Sequence, residues 1–137
     1  MSGETGQSDE TFYDRVGGMA FFERLVDRFY DGVETDPVLR PLYPDEDMAG
    51  ARWRLAYFLG QYWGGPFVYS EQRGHPRLRM RHAPFRITSV ERDHWLACMR
   101  VAVDAAVADG SLPPELEEQL WGYCTMAADA MRNVPGA

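Results

Sequence analysis

A chain of 137 residues with 45% hydrophobic side chains can enclose one core, and its net charge of −7 disfavours a nucleic-acid surface. All 14 basic residues are arginine, which excludes lysine Schiff-base chemistry and a P-loop lysine. No apolar run approaches the ~20 residues that span a bilayer. The first ten residues, MSGETGQSDE, are polar and acidic and read as a disordered tail rather than a signal peptide. Residues 11–137 read as a single domain.

The first long helix is expected over Met19 to Glu34. Phe22, Leu25, Val26, Phe29, Tyr30 and Val33 recur there at the i, i+3, i+4, i+7 spacing of one buried face. Gly17-Gly18 precede it and Asp36-Pro37 end it. A proline-rich link, PVLRPLYPDED, then carries Tyr43 between Pro41 and Pro44. A second helix runs from about Met48 to Trp63 with Ala51, Leu55, Phe58, Leu59 and Tyr62 on its face, and Gly64-Gly65-Pro66 stop it.

From 66 to 87 the punctuation by Pro66, Gly74, Pro76 and Pro84 leaves room only for a short helix across about Pro76 to His82. Thr88 and Glu91 form a capping box. The helix that they open places Trp95, Cys98, Met99, Ala102 and Ala106 on one face and ends near Gly110. Pro113-Pro114 start the last helix, with Leu116, Leu120, Tyr123, Cys124, Ala127 and Met131 facing inward. No alternating strand pattern competes, so the fold class is all-α. Cys98 and Cys124 form no CxxC pair and read as buried thiols in a reducing cytoplasm.

The candidate chemistry centres on GHPRLRMRHAPF, residues 74 to 85. His75, held between Gly74 and Pro76, reads as a loop or cap residue. His94 lies beside the apolar stripe and reads as a solvated flank. His82 ends the short helix, where it is either a surface histidine stabilised by the helix dipole or a metal ligand. Arg73, Arg77, Arg79, Arg81 and Arg86 crowd around it, as a solvated cationic face or as a clamp for carboxylates or phosphates. Two distant cysteines and three dissimilar histidines make no zinc spacing. Ser70, Ser89 and Ser111 lie in no nucleophile-elbow context.

The motifs FYDRVGG, FYDGV, LYPDED, QYWGGP, YSEQRGHPRLRMRHAPF and ERDHW together resemble the truncated haemoglobins, and within them the second group, typical of actinobacteria among others. The resemblance covers nearly the whole chain after residue 11. It implies a two-over-two helical sandwich around haem b (iron protoporphyrin IX). His82 matches the proximal iron ligand. Tyr30, Tyr43 and Trp95 match a distal aromatic triad that holds the bound ligand. Ala51 stands where many other globins carry a distal histidine, with Leu55 one turn later; neither side chain can hydrogen-bond a ligand. Phe58, Phe85 and Met126 are expected as pocket walls, and Tyr69 and Arg79, with Arg77 in reserve, as propionate contacts.

Reversible O₂ binding needs one strong protein ligand and one open face on the iron. Tyrosine hydroxyls and an indole N–H are donors carried on bodies apolar enough to bury. Each buried hydrogen bond to a partly charged acceptor is worth roughly 1.5–3 kcal/mol. Two such donors are therefore expected to slow O₂ release by about two to four orders of magnitude. That suits sensing, redox chemistry or storage better than oxygen transport. Ligands are expected to enter past Ala51, because Trp95 obstructs an inner apolar route.

The same pocket also suits a haem redox enzyme that removes nitric oxide or reduces peroxide with an unidentified reductase. A haem-free helical interaction module is the third reading. Trp53, Trp63 and Trp121 read as exposed aromatics compatible with a homodimer.

Overall fold

The computed structural model describes residues 10–43, 47–74 and 86–133, and every regular element among them is helical. In chain order these are α1 (Phe12–Arg15), α2 (Met19–Glu34), a 3-10 turn (Arg40–Leu42), α3 (Met48–Tyr62), α4 (Val68–Arg73), α5 (Ser89–Ala108) and α6 (Pro114–Ala130). The expected short helix over Pro76 to His82 lies outside the described residues, as does nearly all of the expected N-terminal tail. No helix among the described residues is long and apolar enough to cross a membrane.

α2 forms because its apolar residues repeat at the helical period, and it buries that whole stripe. Phe22, Phe29 and Val33 are completely covered, with Leu25, Val26 and Tyr30 nearly so. Burial of each large apolar side chain stabilises the fold by about 1.5–3 kcal/mol before entropy is counted. α2 packs against α3 on one side and against α5 on the other, and α6 packs against α5. The two pairs, α2 with α3 and α5 with α6, make a two-over-two helical sandwich whose core is centred on α2.

The ends of these helices are set locally. At the start of α1 the Asp14 N–H donates to Thr11 Oγ1 at 3.1 Å while the Thr11 N–H donates to Asp14 Oδ2 at 3.2 Å. The capping box expected at α5 is present: the Thr88 N–H donates to Glu91 Oε1 at 2.7 Å, and the Val90 N–H donates to Thr88 Oγ1 at 3.1 Å. The hydrogen bonds from Thr88 hold the Glu91 carboxyl below its ordinary range. Gly17 and Gly18 take φ of +93° and +90°, which lets the chain turn sharply from α1 into α2.

Gly64-Gly65 do more than stop α3. They admit the N-terminal segment, whose Tyr13 N–H donates to the Trp63 carbonyl at 3.0 Å. α4 is an addition to the sequence reading, a six-residue helix whose Tyr69 is buried. Gln61 holds it, accepting from the Ser70 N–H at 3.0 Å and donating to Ser70 Oγ at 2.7 Å.

Several surface expectations change. Tyr62, assigned to the inner face of α3, is 51% exposed at the helix end, with its ring against Tyr123. Trp53, Trp63 and Trp121 are all partly covered. Trp53 stacks on Tyr57, Trp63 packs on Phe12, and the Arg100 guanidinium lies over Trp121 at 4.7 Å. Each of these three rings has a packing partner within the chain and is only partly exposed.

Candidate functional site

One cavity of ≈ 160 Å³ lies between the two helix pairs. Each layer of the sandwich supplies part of its wall. Tyr30 comes from α2; Leu39, Leu42 and Tyr43 come from the link that follows. Leu55, Phe58 and Leu59 come from α3, and Trp95 comes from α5, with Ile87 just before that helix and Glu91 and Arg92 in its first turn. α6 closes the remaining side with Tyr123, Cys124, Ala127, Ala128 and Met131. Polar side chains are few in this lining, and Tyr30, Tyr43 and Trp95 are brought together on it from three separate elements.

The Tyr30 ring is edge-on to both Tyr43 and Phe29, and Phe29 is tilted at 56° against Trp95. Tyr30 and Tyr43 meet with ring centroids 5.5 Å apart at 89°, and Phe29 bridges to both sides, 4.9 Å from Tyr30 and 5.1 Å from Trp95. Edge-to-face contacts of this kind fix ring orientation as well as adding stability. Burial pushes the Tyr30 hydroxyl well above its ordinary pKa, and the neighbouring Tyr43 hydroxyl, its hydrogen-bond partner, adds to the effect. Burial likewise raises Tyr43, against the lowering influence of Tyr30 and Arg54. Both hydroxyls therefore stay protonated at neutral pH.

Of the other residues singled out in the sequence, Leu55 and Phe58 line the cavity. Ala51 is buried at the start of α3 without being part of the lining, and Tyr69 is buried beneath Phe58 and Trp53. Met126 is not a wall: it is 61% exposed. The helical period decides this, because Tyr123, Ala127 and Met131 follow one another at i, i+4 and i+8 on the inner face while Met126 falls beside that row. His82, Phe85, Arg77 and Arg79 lie outside the described residues.

Sequence reasoning missed Leu39, Leu42, Ile87 and Arg92 as lining residues. The first three sit in irregular segments where no periodicity marks an inward face. Tyr123, Ala127 and Met131 were already on the apolar stripe of α6, so that part of the lining was available to a reader who extended the stripe into a wall. His94, expected as a solvated flank, instead reaches the Asp36 carboxylate, with Nδ1 2.9 Å from Oδ2.

A slot with apolar walls from four elements suits a flat, largely apolar group. Hydrogen-bond donors from Tyr30, Tyr43 and Trp95 on the same lining suit a reactive centre that develops negative charge. The donor set and the lining thus fit the haem that the sequence resemblance implies.

Comparison with known proteins agrees. A family model described as bacterial-like globin matches residues 11–133. The chain is 41% identical over 128 residues to the Group 2 truncated hemoglobin YjbI of Bacillus subtilis, covering 93% of this chain and 92% of that relative. Among solved structures it is similar to a thermostable haemoglobin from the actinobacterium Thermobifida fusca, at 61% identity and a TM-score of 0.85, covering 92% of this chain and 99% of that one. It is also similar to a truncated oxygen-avid haemoglobin from Bacillus subtilis, at 39% identity and a TM-score of 0.81, covering 90% of this chain and 100% of that one.

Proposed function

Because the chain belongs to the bacterial-like globins, as a truncated haemoglobin of the second group, we propose that it binds haem b through His82 and holds O₂ tightly with donors from Tyr30, Tyr43 and Trp95. When bound, haem supplies an iron with one open face, where a small diatomic such as O₂, CO or NO binds and gains partial negative charge. The observation that carries this reading is the convergence of the three donor side chains on one largely apolar cavity.

Each part of the wall then has a task. Leu55, Phe58 and Leu59 from α3 and Ala127 and Met131 from α6 exclude water, which strengthens every hydrogen bond inside. Tyr30 packs edge-on against Tyr43 and orients it, and the Tyr43 O–H and the Trp95 indole N–H donate to the ligand. The raised pKa of both tyrosines supports this, because a tyrosinate could not donate. Ala51 and Leu55 offer no competing polar side chain. A structurally similar relative is described as oxygen-avid, which also supports tight binding here.

Two measurements test the reading. The optical spectrum of the purified protein is expected to show a haem Soret band that shifts with CO and that is lost or altered in His82→Gly. An unaltered band in that variant would remove His82 from the iron. In stopped-flow experiments the Tyr43→Phe, Trp95→Phe double variant is expected to release O₂ about 10² to 10⁴ times faster than the parent, as the loss of two buried donors requires. An unchanged rate would sink the role given to these side chains.

A further inference from the structure

Two of the three donors over the cavity are carried on backbone that a single side-chain contact ties together. Asp36 lies just beyond α2, and its carboxylate Oδ1 accepts from the N–H groups of Val38 and Leu39, each at 2.9 Å. Its carbonyl accepts from the Arg40 N–H at 2.9 Å. The Leu42 N–H then donates to the Leu39 carbonyl at 2.9 Å, and the Tyr43 N–H to the Arg40 carbonyl at 3.1 Å. The Arg40 guanidinium also donates to the Tyr43 carbonyl. A continuous hydrogen-bonded run therefore leads from Asp36 to Tyr43.

From the opposite side, His94 Nδ1 on α5 sits 2.9 Å from Asp36 Oδ2 and 3.1 Å from Oδ1. His94 immediately precedes Trp95. We propose that Asp36 and His94 are a positioning pair: their contact holds the Tyr43 link in register with the Trp95 helix, so that the two donors converge on one ligand. The inference rests on the ligand-binding role given above to Tyr43 and Trp95, and adds residues that touch neither ligand nor haem.

The chemistry of the pair is suited to this. Burial works to raise the Asp36 carboxyl, but hydrogen bonds from His94, Leu39 and Val38 outweigh it and leave the group below its ordinary range. An ionised carboxylate only accepts, so the proton between the two side chains resides on His94 Nδ1. The Asp36 side chain is 14% exposed and that of His94 38%. With His94 this accessible to water, the contact adds little to overall stability. What it fixes is the relative position of two segments, because the described residues of the link between α2 and α3 hold no regular helix longer than the three residues Arg40–Leu42.

The test uses the haem-loaded protein and compares O₂ release, the C–O stretching frequency of the CO complex and thermal melting. His94→Ala is expected to speed O₂ release about five-fold, the effect of misaligning one ordinary hydrogen bond. The same variant should shift or broaden the C–O stretch and leave melting nearly unchanged. His94→Asn, whose side-chain amide can donate in the place of Nδ1, should restore the parent rate. In a Tyr43→Phe background, His94→Ala should add nothing further. An unchanged rate in His94→Ala, equal acceleration in the Tyr43→Phe background, or failure of His94→Asn to restore the rate would each overturn the positioning role. Failure of Tyr43→Phe itself to speed release would point instead at the underlying ligand-binding reading.

Discussion

Cys124 shows how far burial controls chemistry at single positions. The residue is 1% exposed at the cavity wall, and burial pushes its thiol up to about 12 against the lowering influence of Arg100. At pH 8 the reactive thiolate is then roughly one part in 10⁴. Cys98 is only half-buried; burial and the nearby Asp36 carboxylate raise it as well. Iodoacetamide is therefore expected to modify Cys98 first, with Cys124 reacting only after denaturant opens the fold. Mass spectrometry of a labelling time course would show this, and equal labelling rates would contradict it. The same physics keeps Tyr30 and Tyr43 protonated: groups that are reactive or charged in water are confined to their neutral forms by the wall in which they sit.

Between elements, the decisive contacts are close approaches of backbone. A Cβ on Gly65 would lie 2.5 Å from the Tyr13 ring and 2.8 Å from the Gly60 carbonyl oxygen. The ring could shift, but the carbonyl belongs to α3 and cannot without breaking the helix end. Gly65→Ala is expected to cost about 1–3 kcal/mol and to loosen α1 from the end of α3. Gly122, within α6, has nothing within 4 Å of where a Cβ would stand. Gly122→Ala should therefore stabilise by roughly 0.5–1 kcal/mol through helix propensity alone. Opposite shifts of the two melting temperatures are the expected result; a common direction would refute the packing argument.

Across the whole molecule, polar contacts join neighbouring helices but apolar burial holds them. Arg52 reaches Asp27, Asp31 and Glu34 from α3 to α2, Arg28 reaches Asp109, and Arg92 reaches Asp129. Most of these carboxylates are well exposed, so the pairs add little to stability. The Ile87 backbone is pinned at both ends by Asn133, its N–H donating to Oδ1 at 2.8 Å and its carbonyl accepting from the Asn133 N–H at 2.9 Å. That clamp fastens the chain entering α5 to the end of α6, beside the cavity.

What the sequence determined by itself was everything governed by neighbours along the chain. The apolar stripe of α2, the capping box of Thr88 and Glu91 and the glycine stops follow from helical period and local hydrogen bonding, and all of them are in the structure. The joint motifs also carried the family. Periodicity could not distinguish Tyr30 and Trp95 from ordinary core residues, because a donor over a cavity and a filler within a core occupy the same stripe. Tertiary structure decided that they face one space with Tyr43, that Met126 turns outward and that His94 meets Asp36 across 58 positions of sequence. Those outcomes depend on how helices cross and on irregular links between them, where no local period records which side faces in.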